Sequence, residues 1–487
     1  MAMTTTKITP TQEQIAIRDA FLTGDDVLIE AGAGTGKTST LCMLAEAAPE
    51  KKGTFVVYNK AAQVDASAAF PENVDCRTAH SLAYGGMMRQ KHGKEITRRA
   101  HDRTSVPSGK LTGPLGIPSG YQSGEQFIPD WVIASSAVGA VRRFSQSADE
   151  TLQAKHVEDV DGIEDQWHYK EFVLPFAEKV WADVQQPTGF CKVTPDHYLK
   201  MWALTHPTIK GEFVMLDEAQ DTNAVLLKII EEQKQQRVIV GDRCQQLYAW
   251  RGAVNAMTSF SADQTLVLSQ SFRFGPAIAE NANKFLALLD TPLSLKGFDK
   301  IESHLESLMG DPDAILCRTN ASVIESAMQA QESGKRVAIV GGTGDIERFA
   351  KGARDLKENR RASIAELAAF KSWGEVQKYS QSDEGSDLKV MVKLIDEYGV
   401  EAVLNVCSAS VDEKNADIIV STAHKSKGRE WNRVKIAEDF TAPKEGEEPS
   451  HGELCLAYVA VTRAKLVLDP GALSWINTYS AATSVAA

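Results

Sequence analysis

At 487 residues, with 43% hydrophobic and 24% charged side chains, the chain is too long for one core and ordinary for a globular protein, so about two to four domains are expected. A formal net charge of -12 argues against an overall electrostatic attraction to nucleic acid and leaves room only for a local basic groove. No apolar run reaches membrane-span length and the polar N-terminus lacks a signal-peptide core, so a soluble, intracellular protein is expected, cytoplasmic if bacterial or phage-encoded.

Residues 8–21 read as an amphipathic helix capped by Thr9 or Thr11, with Pro10 near its first turn. A short apolar strand, residues 27–30, then runs into Ala31-Gly32-Ala33-Gly34-Thr35-Gly36-Lys37-Thr38, and residues 39–46 read as a helix. Strand, glycine loop and helix together form a phosphate cradle. Glycines let backbone N–H groups turn onto phosphates, the helix N-terminus adds positive potential, Lys37 supplies a point charge and Thr38 a Mg²⁺ ligand.

Strands are expected at 54–58 and 74–78, and their alternation with helices predicts a parallel sheet covered on both faces. That rhythm breaks at residues 85–165, read as an inserted subdomain whose Gly- and Pro-rich part, 105–123, is flexible. The insertion opens with the one distinctly basic segment, which contains Arg89, Lys91, Lys94, Arg98, Arg99, Arg103 and Lys110. It is either a phosphate-contacting surface or a solvated face. Strands resume at 212–216, 237–240 and 265–268. A second set follows at 314–317, 337–340, 417–420, 434–436 and 465–468, interrupted by a helix-prone interval at 345–413. Seven cysteines without a C-x-x-C pair argue against a disulfide framework or a zinc site.

Asp217 and Glu218 end an apolar strand within Asp217-Glu218-Ala219-Gln220-Asp221. Beside a phosphate loop the first can hold Mg²⁺ and the second can take a proton from an attacking water, which favours a hydrolytic ATPase. After the next strand, Gln245 is suited to sensing a γ-phosphate, while Tyr248 and Trp250 are suited to base stacking beside Arg251.

The ordered series resembles the UvrD-like group of superfamily 1 DNA helicases, closest to its F-box DNA helicase branch through Tyr58-Asn59-Lys60, residues 191–200 and Gln270-Ser271-Phe272-Arg273-Phe274-Gly275. Thr9-Pro10-Thr11-Gln12 resembles the group's glutamine motif, and no F-box is expected before it, so a ubiquitin-ligase role is not carried over. The resemblance implies an α/β fold: two RecA-like parallel-sheet P-loop NTPase lobes, each with a mainly helical insertion. The expected organisation is lobe 1 at 1–84 and 166–275 with its insertion at 85–165, and lobe 2 at 276–344 and 414–487 with a reduced accessory insertion at 345–413. It implies ATP and Mg²⁺ as cofactors, ATP in the cleft between the lobes and single-stranded DNA across their top, with 3′ to 5′ travel.

Residue by residue, the resemblance implies that Gln12 reads adenine, that Gly34, Thr35, Gly36, Lys37 and Thr38 cradle phosphates, and that Phe272 lies against adenine. Arg273 and Arg463 are implied on the γ-phosphate, and Glu430 as a further nucleotide contact. The implied DNA contacts are Tyr58, Asn59, Lys60, His80, Tyr248, Trp250, Arg251, Thr422 and His424. Single strands and single-strand/duplex junctions are the implied partners, with no membrane; no protein partner is named and a monomer suffices. Ser39 stands where many relatives carry an arginine, and only about fifteen residues separate Asp439 from Cys455. Two other readings remain open: an ATPase that strips proteins from DNA with little unwinding, and an ATP-regulated DNA-binding switch.

Overall fold

A computed structural model describes residues 9–57, 59–101, 106, 108–124, 126–160, 163–247, 255–367, 370–381, 386–444 and 447–479. The chain divides into two compact units, Met1–Ala31 with Gly36–Leu268, and Gly32–Thr35 with Ser269–Ala487.

The first unit is built on β1 (Val27–Ala31), β2 (Gly53–Val57), β3 (Val74–Thr78), the hairpin strands β4 (Gly120–Ser123) and β5 (Gln126–Pro129), β6 (Phe213–Leu216), β7 (Gln236–Gly241) and β8 (Gln264–Leu268). Six of these form one parallel sheet in the order β3-β2-β6-β7-β1-β8. Every residue of β1, β2 and β6 is buried, as expected of a parallel sheet covered on both faces. Because all strands run the same way and β6, β7 and β1 are neighbours, the loops that follow them emerge at one edge. That geometry carries the chemistry.

The first helix spans Gln12–Thr23, with Thr11 as its cap in a reciprocal pair with Gln14. Pro10 therefore lies before the cap and not in the first turn: the Thr11 hydroxyl takes the orphan Gln14 N–H at the helix start. Between β3 and β6 no strand of the sheet occurs among the described residues. This stretch folds instead around helices Ala79–Met87, Gly93–His101, Asp130–Gln146, Gln166–Val184 and Pro195–Ala203, whose apolar faces share one cluster, including Ile133, Val141, Tyr169, Val180 and Leu199. The antiparallel hairpin β4–β5 lies within the Gly- and Pro-rich stretch and its neighbour, a strand pairing that glycine content concealed.

The second unit has its own parallel sheet. Its strands are β9 (His304–Leu305), β10 (Ala314–Cys317), β11 (Val337–Ile339), β12 (Ile418–Thr422), β13 (Trp431–Ile436) and β14 (Ala464–Asp469), in the order β11-β12-β10-β13-β14-β9. Helices Gly344–Lys357, Trp373–Tyr379, Ser386–Tyr398 and Val400–Ala409 join the cluster that covers this sheet, through residues such as Phe349, Trp373, Leu394 and Val403. The two-residue β9 is too short to leave a sequence signal. Two parallel sheets, one per unit, are the architecture the motif order implied. Among the described residues no helix is long and apolar enough to cross a membrane.

Candidate functional site

In the first unit β1 leads, through the glycine loop, into helix Lys37–Ala47, whose cap Gly36 is left-handed at φ 77°. A side chain there would be strained, so glycine is required for the turn that points the helix N-terminus back over the strand end. Lys37 Nζ lies 3.3 Å from Glu218 Oε1. Burial works against the Lys37 charge, but Glu218, Asp217 and Asp242 outweigh it and hold the ammonium above the ordinary lysine range. Thr38 is exposed beside it, in the helix's first turn.

Asp217 follows β6 directly and its N–H donates to the Val56 carbonyl at 3.1 Å. The next residue, Glu218, adopts φ 50°, and its N–H donates to Asp217 Oδ1 at 2.8 Å. A non-glycine residue held in this region is costly, and here the turn aims the carboxylate at Lys37. Gln220 is buried and bridges two motifs: its Nε2 donates to Glu218 at 2.5 Å and its Oε1 accepts the Asp242 N–H at 3.0 Å. Asp242, fully buried after β7, accepts from Gln245 Nε2 at 2.6 Å and so fixes the orientation of the predicted phosphate sensor.

Gln220 and Asp242 as fixing groups escaped the sequence reading, as did one further pair. Gln220 sits inside a recognised motif, yet its bridging role depends on β6 and β7 being neighbours. The other fixing pair is Glu30 with Arg243, joined at 2.7 Å. Burial pushes the Glu30 carboxyl up, and Arg243 opposes this with side-chain and backbone donors. An acidic residue inside an otherwise apolar strand was the available signal.

In the second unit, residues 32–35 pack with the segment that follows β8. Phe272 N–H donates to the Gly34 carbonyl at 2.8 Å, Ser271 Oγ to the Ala33 carbonyl at 3.0 Å, and Ala33 N–H to Tyr458 Oη at 3.1 Å. A Cβ added at Gly34 would lie 2.5 Å from Arg273 Cβ and 2.7 Å from Ser271 Oγ, so no larger residue fits. Thr35 is buried, its hydroxyl on the Gly32 carbonyl. Phe272 is half-buried, edge-on to Phe298.

Arg273 Nε donates to Glu430 at 2.7 Å and its Nη1 to the Thr462 carbonyl at 3.1 Å. Burial pushes the Glu430 carboxyl up, but Arg273 and Lys465 more than offset this and leave it below the usual glutamate range. Arg463, which a surface reading would expose, is 1% exposed. It donates to the carbonyls of Val459 at 2.8 Å and Arg429 at 3.3 Å, and to Thr462 Oγ1 at 2.9 Å. A buried guanidinium is tolerated because carbonyl oxygens satisfy it.

A family model for the UvrD-like helicase C-terminal domain matches residues 133–475, and one for an AAA domain matches residues 13–251. The chain belongs to the UvrD-like helicase family. It is similar to F-box DNA helicase protein 1 of Schizosaccharomyces pombe, 30% identical over 93% of this chain and 56% of that protein. It is also similar to F-box DNA helicase 1 of Gallus gallus, 28% identical over 95% of this chain and 49% of that protein. ATP-dependent DNA helicase PcrA of Staphylococcus epidermidis is 25% identical over 44% of this chain and 30% of that protein. The chain thus spans about half the length of the first two relatives, and its match to the last covers 30% of that protein.

The residues expected to contact a nucleic-acid strand are placed unevenly. Asn59 Oδ1 accepts the Ala62 N–H at 2.9 Å and caps helix Lys60–Ala69, and Lys60 donates to Gln63 at 2.5 Å. His80 opens helix Ala79–Met87, half-exposed, 2.9 Å from Asp196. Thr422 ends β12 and its hydroxyl accepts the Lys425 N–H at 3.3 Å. Burial lowers the affinity of His424 for a proton, as does Arg318, while Glu453 opposes them. Gln12 is exposed at the first position of its helix. Tyr58, Tyr248, Trp250 and Arg251 lie outside the described residues, as does Arg103 of the basic segment.

One member of that segment is corrected. Arg99 is turned inward, donating to the carbonyls of Asp183, Gln186 and Cys191 and to Asp183 Oδ2 at 3.0, 2.7, 2.7 and 3.1 Å. It fastens helix Gly93–His101 to the end of helix Gln166–Val184 and is a packing contact rather than part of an exposed basic face. Arg89, Lys91, Lys94, Arg98 and Lys110 remain exposed.

Proposed function

We propose that this chain is an ATP-driven DNA helicase or translocase that moves on single-stranded DNA, 3′ to 5′, in repair, recombination or replication. The observation that carries the reading is the Lys37–Glu218 pair at 3.3 Å, on the loops that follow β1 and β6 on either side of β7 at one sheet edge, with Gln220, Asp242 and Gln245 tied to it.

The donor set fits a Mg²⁺–nucleotide: an oxygen-only metal set in Thr38 and Asp217, a cation in Lys37, and a left-handed Gly36 that turns the helix N-terminus at Lys37 back over the end of β1. When bound, that group supplies a phosphoanhydride and a metal charge that neutralises its oxygens. In this reading Lys37 binds the β- and γ-phosphates, and Glu218 accepts the proton of the attacking water at its carboxylate. Gln245, held by Asp242, senses the γ-phosphate, while Arg273 and Arg463 stabilise charge on it. Asn59, Lys60, His80, Thr422 and His424, with Tyr58, Tyr248, Trp250 and Arg251, are the proposed strand contacts. Single strands and strand/duplex junctions are the proposed substrates.

ATP hydrolysis measured in parallel with single-stranded DNA, duplex DNA and single-stranded RNA tests this. The largest stimulation is expected from single-stranded DNA, and hydrolysis indifferent to all three would refute it. One observation favours a second reading, in which the motor strips proteins from DNA with little unwinding: β13 ends at Ile436 and the next helix starts at His451, so no subdomain is inserted there. Displacement of a bound protein compared with separation of a long duplex distinguishes the two.

A further inference from the structure

Helix Pro195–Ala203 is buried from His197 to Ala203. Its start is fixed by a capping pair in which the Thr194 N–H donates to His197 Nδ1 at 3.2 Å. Asp196, in the first turn, is less enclosed: its side chain is 29% exposed. It sits where the helix N-terminus favours a carboxylate. Burial pushes Asp196 up, yet His80 and Gln146 bring it below the usual aspartate range.

Both Asp196 oxygens are engaged. Oδ1 accepts from His80 Nε2 at 2.9 Å and Oδ2 from Gln146 Nε2 at 3.0 Å. One turn further on, Lys200 Nζ donates to the carbonyls of Ser147, at 2.8 Å, and Asp149, and lies 4.4 Å from the Phe144 ring centroid. The buried helix therefore fastens the end of helix Asp130–Gln146 at two successive turns. From the first of these it also holds His80, at the start of helix Ala79–Met87. His80, Asp196 and Gln146 line one cavity of about 380 Å³ whose wall continues through Asp217, Glu218 and Asp221.

We propose that Asp196 is a positioning residue that fixes the His80 ring for strand contact and ties that contact to the carboxylate end of β6. The proposal rests on the reading of His80 as a DNA contact. As acceptor, the Asp196 carboxylate holds the proton on Nε2 and sets the ring plane, leaving Nδ1 as the other polar edge. Asp196 rides on a buried helix and cannot follow the ring freely. Displacement of His80 by a bound strand therefore either breaks a charge-assisted bond or moves the wall shared with Asp217 and Glu218.

The test uses Asp196→Asn, His80→Gln and the double variant, reading ATPase against single-stranded DNA concentration, KM for ATP and thermal melting. An amide keeps the shape but not the charge: a turned Gln146 amide can still pair with it, so Asp196→Asn selectively loses the charge-assisted bond that holds the His80 ring. The expected result is a rise of about tenfold in the DNA concentration for half-maximal stimulation, with no parallel rise in KM for ATP. His80→Gln should add little on top of it, since both changes break one interaction. Additive effects, or a loss that tracks melting and KM for ATP together, would overturn the positioning role. An unmodified protein that single-stranded DNA does not stimulate removes the DNA-contact reading and this proposal with it. Normal stimulation with an unaffected Asp196→Asn overturns the proposal alone.

Discussion

The edge of the first sheet and the helical stretch between β3 and β6 place their polar groups in opposite ways. At the sheet edge each group follows its strand almost at once: Asp217 directly after β6, Asp242 directly after β7, and Lys37 one tight loop after β1. In the helical stretch no strand end marks the partners, which lie 116 positions apart for His80 and Asp196 and 84 for Arg99 and Asp183. Parallel topology does the assembling in the first case, so linear spacing reports geometry. In the second, only tertiary packing brings the partners together.

The comparison is broken most severely by Lys37→Ala. If the sheet-edge groups form the ATP site, turnover should fall by about 10³-fold or more, because the phosphate cation is lost where no neighbour replaces it. DNA binding measured beside it should persist. Normal turnover in a preparation free of contaminating ATPase would separate the sheet edge from the chemistry.

The helical stretch is tested by Arg99→Ala. Four donors disappear, and the Asp183 side chain, 9% exposed, loses its guanidinium, which should cost about 3–5 kcal/mol of unfolding free energy. Denaturant melts would show it. Unchanged stability would place Arg99 back among the surface charges of its segment.

What the sequence made legible follows the same division. The phosphate loop, both sheets and the Asp217-Glu218 turn could be read because each is a local pattern repeated at strand ends. Gln220, Asp242 as the holder of Gln245, and the Glu30–Arg243 pair were missed because their meaning depends on which strands are neighbours. Arg463 has a sequence neighbourhood compatible with a surface position, and only the folded unit shows the carbonyls that receive it. Arg99 was misread because a run of positive charge gives no sign of which side chain turns inward.

A titration sharpens the view of the helical stretch. Burial holds the His197 imidazole well down, at about 4, with Asp196 opposing and Arg99 assisting. An unfolded histidine titrates near 6.5. Between those values the unfolded chain binds the proton and the folded one does not, so stability rises with pH across that window and is lost as pH falls from about 6.5 to 4. One group shifted this far contributes about 3 kcal/mol at most. His197→Gln, which keeps an acceptor for the Thr194 N–H, should flatten the slope over that window in denaturation measured at several pH values. A slope that survives would assign the acid sensitivity elsewhere.

The smallest effect makes the comparison within two adjacent residues. Arg98 and Arg99 share helix Gly93–His101, but Arg98 is exposed and Arg99 is turned onto carbonyls. Removing Arg98 takes nothing from the packing, so Arg98→Ala should leave the melt within about 0.5 kcal/mol of the parent. If this face meets the phosphate backbone, one fewer counterion is released per binding event, and the slope of log affinity against log salt should shrink by about 1. Affinity should fall alike for every sequence, since a phosphate contact carries no base information. An unchanged slope with an unchanged melt would make the exposed basic residues a solvated face. A changed melt would instead show that packing extends further along this helix than its exposed side suggests.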